Sequence, residues 1–223
     1  MKTPYKLLAI ALLTLSLSCC KRDDDAPSEP ITLLAPQEVK DYVLFQPGTY
    51  WVYENSITQE LDSVYVYETL NEITRFEGDG QIVDFEQIIV NTFSEFEQYN
   101  HKYKLDAPVL EALQFYNPRI KRVKTKPGDY VGETIVLFHP YNVGDKRYPL
   151  GTNGYVELID FKLSFELGGN IYQEVLIYKN VEDASEGYKN VNYYFAKHIG
   201  LIKREIIDNT ESWELIRYNI VKE

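Results

Sequence analysis

Reactive side chains are sparse in this chain of 223 residues, and their spacing matches no catalytic or metal-binding motif. The three histidines, His101, His139 and His198, lie far apart, whereas a zinc site built on one element needs closely spaced ligands. The sequence also lacks a serine nucleophile between glycines, a glycine-rich phosphate loop and a calcium-binding loop. It therefore predicts no catalytic residue, no metal site and no cofactor.

Acidic residues are too abundant to identify a site by themselves. With 34 of them in the chain, some pairs of carboxylates will meet by chance. The pair that hydrolyses a glycosidic bond is defined by the distance between two carboxyl groups, which spacing along the chain does not give. A carboxylate-based glycan hydrolase is therefore an alternative, and a non-catalytic protein is the main prediction.

The two cysteines, Cys19 and Cys20, follow an N-terminal segment that is typical of an exported protein. Lys2 and Lys6 precede an apolar run over residues 7–13, which is much shorter than the roughly 20 residues of a membrane-spanning helix. Residues 1–18 are therefore predicted to be a cleaved signal peptide. Because no cysteine follows position 20, the rest of the chain has neither a disulfide nor a thiol nucleophile.

The residues before the first cysteine, Leu15-Ser16-Leu17-Ser18, resemble the lipobox of bacterial lipoproteins. That resemblance implies cleavage after Ser18 and diacylglyceryl modification of Cys19, with Cys20 as the alternative acceptor. Several acyl chains, at ~0.8 kcal/mol per buried methylene, hold a protein on a membrane where one chain alone would not. The membrane is therefore the first expected partner, through an N-terminal lipid anchor.

An acidic, proline-bearing tether is predicted over residues 19–38, because this composition cannot bury enough apolar surface to fold. Its acidic cluster, Asp23, Asp24 and Asp25, resembles the export signal that sends Bacteroidota-type lipoproteins to the outer face of the outer membrane. The expected location is therefore the cell exterior, with a periplasm-facing anchor as the alternative.

Charge and composition limit the partners of the remaining domain, residues 39–223. The formal net charge is −11 and becomes −13 once the two signal-peptide lysines are removed. A polyanion of this size disfavours nucleic acid and anionic lipid headgroups. The chain also contains 19 Tyr and 10 Phe, a composition typical of half-buried sheet surfaces.

Short alternating segments separated by turn residues predict a mainly β, β-rich α+β fold with antiparallel pairing. The expected architecture is a strongly curved sheet or half-barrel with one short helix over residues 108–116, and a β-sandwich is the alternative. In residues 63–67, two valines should lie on one face and Tyr65 and Tyr67 on the other. Residues 159–167 alternate most regularly, which predicts a strand with one buried apolar face.

Two motifs resemble those of uncharacterised Bacteroidota-type surface lipoproteins. The first joins Phe45, Pro47 and Gly48 to Trp51 and Tyr53, and the second runs over residues 193–203 as Tyr-Tyr-Phe-Ala-Lys-His-Ile-Gly-Leu-Ile-Lys. The resemblance, which extends more distantly to lipoprotein-carrier half-barrels, implies a fold and a location but no catalytic residue. We interpret these motif residues as sheet and turn positions. The first motif is weakly echoed over residues 138–144, which is too little to predict a repeat.

Three functions follow from these observations. The main prediction is a membrane-anchored, non-catalytic binding or structural module whose aromatic residues contact a glycan, a lipid or an envelope protein. The first alternative is a carrier whose curved sheet encloses an apolar or lipid ligand, lined by alternate residues from Ile159 to Leu167. The second is the hydrolase. A three-residue motif around Ser63 resembles a bacterial O-glycosylation sequon, which makes Ser63 a candidate modification site.

Overall fold

The fold is mainly β with one short α-helix, as the alternation of side chains predicts. The computed structural model describes residues 31–78, 81–94, 100–106, 117–123, 130–135, 137–138, 141–148, 154–181 and 190–222. The predicted signal peptide, most of the tether and the helix expected over residues 108–116 lie outside these residues. From Thr32 to Glu223 the chain forms one compact unit.

The first part of the described chain contains one helix, α1, at Gln37–Val43, and seven strands. The strands are β1 (Ile31–Leu33), β2 (Tyr50–Asn55), β3 (Leu61–Gly78), β4 (Gln81–Ser94), β5 (Asn100–Asp106), β6 (Asn117–Val123) and β7 (Tyr130–Ile135). The fold therefore begins within the predicted tether, since β1 and the first residues of α1 lie in the segment 31–38. Val39 and Tyr42 are buried, and this apolar face of α1 draws the preceding residues onto the sheet.

The second part adds six strands and a short 3-10 helix at Ile207–Asn209. The strands are β8 (Lys146–Arg147), β9 (Tyr155–Leu167), β10 (Asn170–Val181), β11 (Val191–Ala196), β12 (Gly200–Ile206) and β13 (Glu211–Asn219). In the described part, all the strands belong to one curved sheet, in the order β7-β6-β5-β4-β3-β2-β13-β12-β11-β10-β9-β8, with β1 beside β4. A single sheet replaces the two layers of the alternative β-sandwich.

The core lies between α1 and the sheet face that turns towards it, which we call the inner face. Phe45, just after α1, meets Trp51 of β2 edge to face, with ring centroids 5.0 Å apart. Tyr178 of β10 lies fully buried, and its hydroxyl donates to the carbonyl of Phe138 at 2.9 Å. Burial of each such large side chain contributes about 1.5–3 kcal/mol. The sheet therefore curves around a core that its own aromatic residues and helix supply.

The two sequence motifs meet in this core. The indole Nε1 of Trp51 donates to the carbonyl of Ile199 at 2.6 Å, and the hydroxyl of Tyr53 donates to the carbonyl of Leu201 at 2.8 Å. Between these acceptors, Gly200 has a φ of +91°, and a Cβ there would lie 3.0 Å from the ring of Phe45. Gly200 ends a tight turn that separates β11 from β12, because its positive φ lets the chain reverse.

The structure contains an internal repeat. Residues 46–49 form a turn closed by an N–H···O bond of 3.0 Å, and residues 142–145 form the same turn with a bond of 3.1 Å. The glycine at the third position has a φ of +94° at Gly48 and of +93° at Gly144. These values favour glycine because a Cβ would be strained. The weak sequence echo is therefore a true structural correspondence, in which Gly48 matches Gly144.

The correspondence continues through the strands that follow. The carbonyl of Val66 in β3 accepts a hydrogen bond from the first turn at 3.2 Å, and the N–H of Val66 donates to that turn at 2.8 Å. Leu158 in β9 makes the same two hydrogen bonds with the second turn, at 2.7 and 3.1 Å. One extra residue, Tyr67 or Ile159, then forms a β-bulge in each strand. Strands β2–β7 and β8–β13 each pair consecutively and antiparallel. The antiparallel pair β2–β13 joins the two halves.

The strand around Phe161 is correctly predicted, but its buried face is not. Ile159 and Phe161 are 36% and 39% exposed, Leu163 is 73% exposed, and burial returns only at Leu167. The bulge at Ile159 and the left-handed φ of +47° at Glu174 on the paired strand interrupt the regular alternation. Period-2 alternation therefore identified a strand here without revealing how much of the core it would meet.

A buried carboxylate fixes α1 to the sheet. Glu86 of β4 accepts hydrogen bonds from Lys40 Nζ at 2.6 Å and from the N–H of Ala35 at 3.0 Å. Burial opposes the charge of Glu86, but these two donors outweigh it and hold the pKa of the carboxyl below its ordinary value of 4.5. The ionised form of Glu86 therefore stabilises the fold.

Replacing this carboxylate tests its contribution. We expect Glu86→Gln to lower the free energy of unfolding by about 1–3 kcal/mol at neutral pH, because Lys40 loses its charged partner. The folded pKa is depressed, so this stabilisation is present above pH 4.5 and is lost as the pH falls through the lower folded value. Urea unfolding at neutral and acidic pH should show a smaller acid-induced loss in Glu86→Gln than in the wild type.

Asp84→Asn is the matched control for this experiment. Asp84 is in β4, as Glu86 is, and pairs with Arg75 of β3 at 2.8 Å, but the arginine side chain is 55% exposed. Exposed pairs contribute little because water screens them. Asp84→Asn should therefore cost less than Glu86→Gln, and equal losses would contradict the assigned role of Glu86.

Candidate functional site

An aromatic cluster lies on the outer face of the sheet, which is the face turned away from α1. Its members are Tyr50 of β2, Tyr65 and Tyr67 of β3, and Phe93 of β4. Val64 and Val66 are buried on the inner face, so Tyr65 between them points outward. This confirms the predicted division of valines and tyrosines. Tyr65 is 40% exposed and Tyr67 is 51% exposed, whereas Tyr50 and Phe93 are half-buried.

Strand register brings these four residues together. Tyr65 is directly opposite Tyr50 on one side and directly opposite Phe93 on the other. The rings of Tyr65 and Phe93 have centroids 5.3 Å apart at 45°. Tyr67 stands at the bulge two residues further along β3. Since neighbouring strands are about 4.8 Å apart, the row across three strands spans about 10 Å.

Polar groups adjoin the cluster on the same face. Asn91, two residues before Phe93, is 5% exposed and lies opposite Glu68 of β3. Its Nδ2 donates to the carboxylate of Glu68 at 2.5 Å. The Oδ1 of Asn91 is buried and has no hydrogen-bond partner in the described part of the chain. Buried acceptors usually have a donor, and Asn192 Oδ1 in β11 likewise has none among the described residues, so this property is not confined to the cluster.

The internal repeat provides a direct comparison for the aromatic row. At the positions that match Tyr50, Tyr65 and Phe93, the second half of the sheet carries three charged residues, Lys146, Glu157 and Lys179. Lys146 Nζ lies 3.4 Å from the Glu157 carboxylate. The same backbone arrangement therefore forms with charges in place of rings. Cross-strand aromatic pairs can stabilise a sheet, but this fold does not require them at these positions.

A second polar cluster lies at the C-terminal end of α1. Lys197 Nζ lies 3.0 Å from Glu174 and 3.9 Å from Asp41, and the hydrogen bond with Glu174 is the main cause that raises the lysine pKa. The N–H of His198 donates to the Asp41 carbonyl at 2.7 Å, and His198 has a left-handed φ of +63°. Tyr42 donates its hydroxyl to the Glu174 carbonyl at 2.8 Å. These contacts join α1 to β10 and to the β11–β12 turn, which is a structural role.

Most sites predicted from sequence fall outside the described residues. These are Cys19, Cys20, Asp23, Asp24, Asp25 and His139. Ser63 is in β3, half-buried and opposite Val52. His101 is in β5 and His198 is in the β11–β12 turn, so these two histidines belong to different elements. Of the three described residues, His101 and His198 are not members of the aromatic cluster, whereas Ser63 lies two residues before Tyr65 in β3 and therefore beside the cluster on the same sheet face.

Tyr50, Phe93 and Asn91 were not identified as site residues from sequence. Phe93 is the penultimate residue of β4, which ends at Ser94. The sequence indicated this site only through the alternation of Tyr65 and Tyr67 with valines. The residues that lie opposite these tyrosines depend on the register between strands, which the sequence does not give. Among the described residues, no group of three or more His, Cys, Asp or Glu side chains could hold a metal ion. In the same residues, no helix has both the length and the apolar character needed to cross a membrane.

Comparison with known proteins adds no neighbour to this description. No protein-family model, no curated protein and no solved structure matches the chain. The assignment of a function therefore depends on the geometry of the cluster and on the features of the sequence.

Replacing the aromatic row by the charged residues of the matching positions tests whether the rings are needed for stability. We expect the triple variant Tyr50→Lys, Tyr65→Glu and Phe93→Lys to lose no more than about 2 kcal/mol of unfolding free energy, because the matching positions already carry these residue types. Thermal and urea unfolding, followed by circular dichroism, measure the loss. As a reference, Trp51→Ala on the inner face should cost about 3–5 kcal/mol. A comparable loss in the triple variant would assign the rings to stability instead.

Proposed function

We propose that the protein is a non-catalytic, lipid-anchored binding module of the bacterial cell envelope, displayed on the exterior of the outer membrane. The aromatic cluster is its binding surface. The signal-like residues 1–18, the cysteine that follows and the acidic residues 23–25 support the anchor and the location. Their resemblance to Bacteroidota-type surface lipoproteins supports membership of that group. The ligand is a component of the envelope or of its surroundings, and the net charge of −11 disfavours nucleic acid as a partner.

The aromatic cluster is the observation that carries this proposal. Tyrosine rings are large, rigid and amphipathic, and they contribute strongly to binding when they are exposed together. The matching positions of the second half carry charges, so the requirements of the fold do not account for the row. A binding role explains why these rings lie together on an exposed face.

The carrier alternative receives less support from the packing. A carrier needs an apolar concavity that a ligand can enter. The inner face is instead packed with α1, Phe45, Trp51 and Tyr178, all of them in one buried cluster. The strand proposed to line the cavity leaves Leu163 73% exposed, which does not fit an enclosed lining.

Among the side chains that the structure describes at the cluster, we find no facing pair of carboxylates to support the hydrolase alternative. Such an enzyme needs two facing carboxyl groups about 5–10 Å apart around the bond to be cleaved. The acid that adjoins the aromatic rings, Glu68, is hydrogen-bonded to Asn91. The cluster lies on the outer face of a sheet, which suits binding better than the exclusion of water from a reaction.

The lipid anchor is tested by separate substitution of the two cysteines. Cys19→Ser should abolish labelling by a fatty-acid analogue and release the protein from the membrane fraction, because the acylated thiol is removed. Cys20→Ser is the matched control and should keep both properties. Membrane association of Cys19→Ser with loss in Cys20→Ser would reassign the anchor to Cys20. Association of the double variant would contradict the lipoprotein proposal.

Binding is tested with the lipidated full-length protein and envelope fractions from the same cells. The wild type should retain an envelope component that the combined variant Tyr65→Ala and Tyr67→Ala does not retain, because the two most exposed rings of the cluster are gone. Tyr148→Ala is the control, since Tyr148 is 68% exposed but lies in the second half. Equal retention by all three proteins would show that the cluster is not the binding surface.

A further inference from the structure

We infer that two copies of the protein pair through the open edge of β9 and join their sheets across a two-fold axis at Ser164. This inference goes beyond the proposed binding function and does not depend on it, since β9 lies in the half of the sheet without the aromatic cluster. Three observations support it. They are an edge without a neighbouring strand, apolar side chains exposed along that edge, and charges that complement those of a second copy.

Most of β9 forms an edge of the sheet. On one side β10 pairs with the strand from Tyr155 to Leu167, whereas on the other side β8 pairs only with Val156 and Glu157. The turn at residues 142–145 then bonds the N–H and the carbonyl of Leu158. In the described part of the chain, no further strand pairs with this side of β9. The backbone donors and acceptors of such an edge are a template for another strand.

This edge exposes apolar side chains. Phe161 is 39% exposed and Leu163 is 73% exposed. Monomeric proteins usually protect an edge with proline or with charged residues, and residues 159–167 contain no proline and one basic residue, Lys162. Lys162 pairs with Asp160 of the same strand at 2.6 Å. Whether the edge can pair with a second copy therefore depends on what Lys162 would meet there.

Symmetry and charge restrict the possible registers. Identical strands related by a two-fold axis perpendicular to the sheet run antiparallel, and directly opposite residues share a sheet face. The axis therefore passes through a residue. An axis at Lys162 would set two lysines opposite each other, and an axis at Leu163 would set Asp160 opposite Glu166. Both are disfavoured, because like charges directly opposite destabilise a sheet.

Strand length restricts the registers further. An axis at Phe161 would pair only residues 159–163, because Leu158 is already bonded to the turn. An axis at Phe165 would pair only residues 163–167, because β9 ends at Leu167. These two registers leave much of the open edge unpaired.

The register centred on Ser164 meets both conditions. It pairs residues 161–167 of each copy and sets Lys162 opposite Glu166 of the second copy at both ends. Opposite charges in this position stabilise a strand pair. On the other face of the strands, the apolar pairs are Leu163 with Phe165 and Phe161 with Leu167. The exposed apolar residues of β9 thus gain neighbours of the same kind.

The other long strand with exposed apolar residues, β3, does not offer this complementarity. Ile73 is 54% exposed there. However, Glu68 and Glu72 precede the first basic residue of the exposed stretch, Arg75, which already pairs with Asp84 at 2.8 Å. A two-fold pair of this strand would bring acidic residues together. We therefore assign self-association to β9.

A cysteine at the two-fold axis tests the register. Directly opposite residues of antiparallel strands have Cα atoms about 4.5–5.5 Å apart, which lies within the range of a disulfide. Ser164→Cys should therefore form a disulfide-linked dimer when membranes carrying the lipidated full-length protein are treated with copper–phenanthroline in air. Non-reducing gel electrophoresis measures the dimer. The wild type gives the background from Cys19 and Cys20.

Two further cysteine variants are the matched controls. Glu72→Cys lies at the position of β3 that matches Ser164 in the repeat, and it should stay at the background. Leu163→Cys lies on the same edge, but the proposed register shifts its two copies by two residues, to about 8 Å between Cα atoms. That distance exceeds the roughly 7 Å that a disulfide can span, so Leu163→Cys should yield several-fold less dimer than Ser164→Cys.

Exchange of the two charges tests the pairing independently. Lys162→Glu and Glu166→Lys should each weaken self-association by about tenfold or more, because each sets like charges opposite at both ends. When the two variants are produced together, every such contact joins opposite charges, and association between them should return. Copurification of differently tagged chains in detergent measures it. Circular dichroism establishes that each variant is folded.

The outcomes divide clearly. Crosslinking of Ser164→Cys above both cysteine controls, with association restored between the two charge variants, supports the inference. It is overturned if Ser164→Cys stays at the background or if Leu163→Cys crosslinks at least as strongly. It is also overturned if each charge variant copurifies with itself as the wild type does. None of these results alters the test of the aromatic cluster, which depends on Tyr65 and Tyr67.

Discussion

The contact between Phe45, Trp51 and Gly200 is the constraint on which the rest of the structure depends. Phe45 follows α1, Trp51 lies in β2, and Gly200 begins β12, so this contact joins distant parts of the chain. The ring of Phe45 occupies space that a Cβ at position 200 would need, and the indole of Trp51 donates to the backbone beside it. Since β2 pairs with β13 at the junction of the two halves, the same residues hold α1 against the middle of the sheet. The resemblance motifs are therefore explained by packing.

The two halves of the sheet share a backbone arrangement around the turns at residues 46–49 and 142–145 but differ in the side chains that they expose. Both halves have the turn that precedes their first strand, the glycine with positive φ in that turn and the bulge within the following long strand. These features set the path of the backbone. Side chains on the outer face are free to differ, since they pack less against the core. One half carries aromatic rings there and the other carries an ion pair. This difference between the aromatic row and the charged row supports a functional role for the rings, in a chain whose sequence contains no recognised catalytic motif.

Prediction from sequence succeeded where local chemistry decides the outcome. The alternation of valine and tyrosine in β3 is such a local property, and the strand confirms it. It failed where distant residues decide. The alternation in β9 predicts a buried apolar face, but this part of the face is exposed. Alternation identifies a strand and does not show whether another element packs against it.

By itself, the sequence determined the strand-rich fold class and the absence of recognisable catalytic motifs, and it predicts the lipid anchor. These follow from residue type, period and spacing, which act over a few neighbouring residues. Only the tertiary structure decided that Tyr50, Tyr65 and Phe93 form one row and that Asn91 lies beside it. The same holds for the repeat, whose two halves share hydrogen bonds but few residues. The physical reason is that strand register depends on pairing between segments far apart in the chain, and that pairing is settled when the core closes.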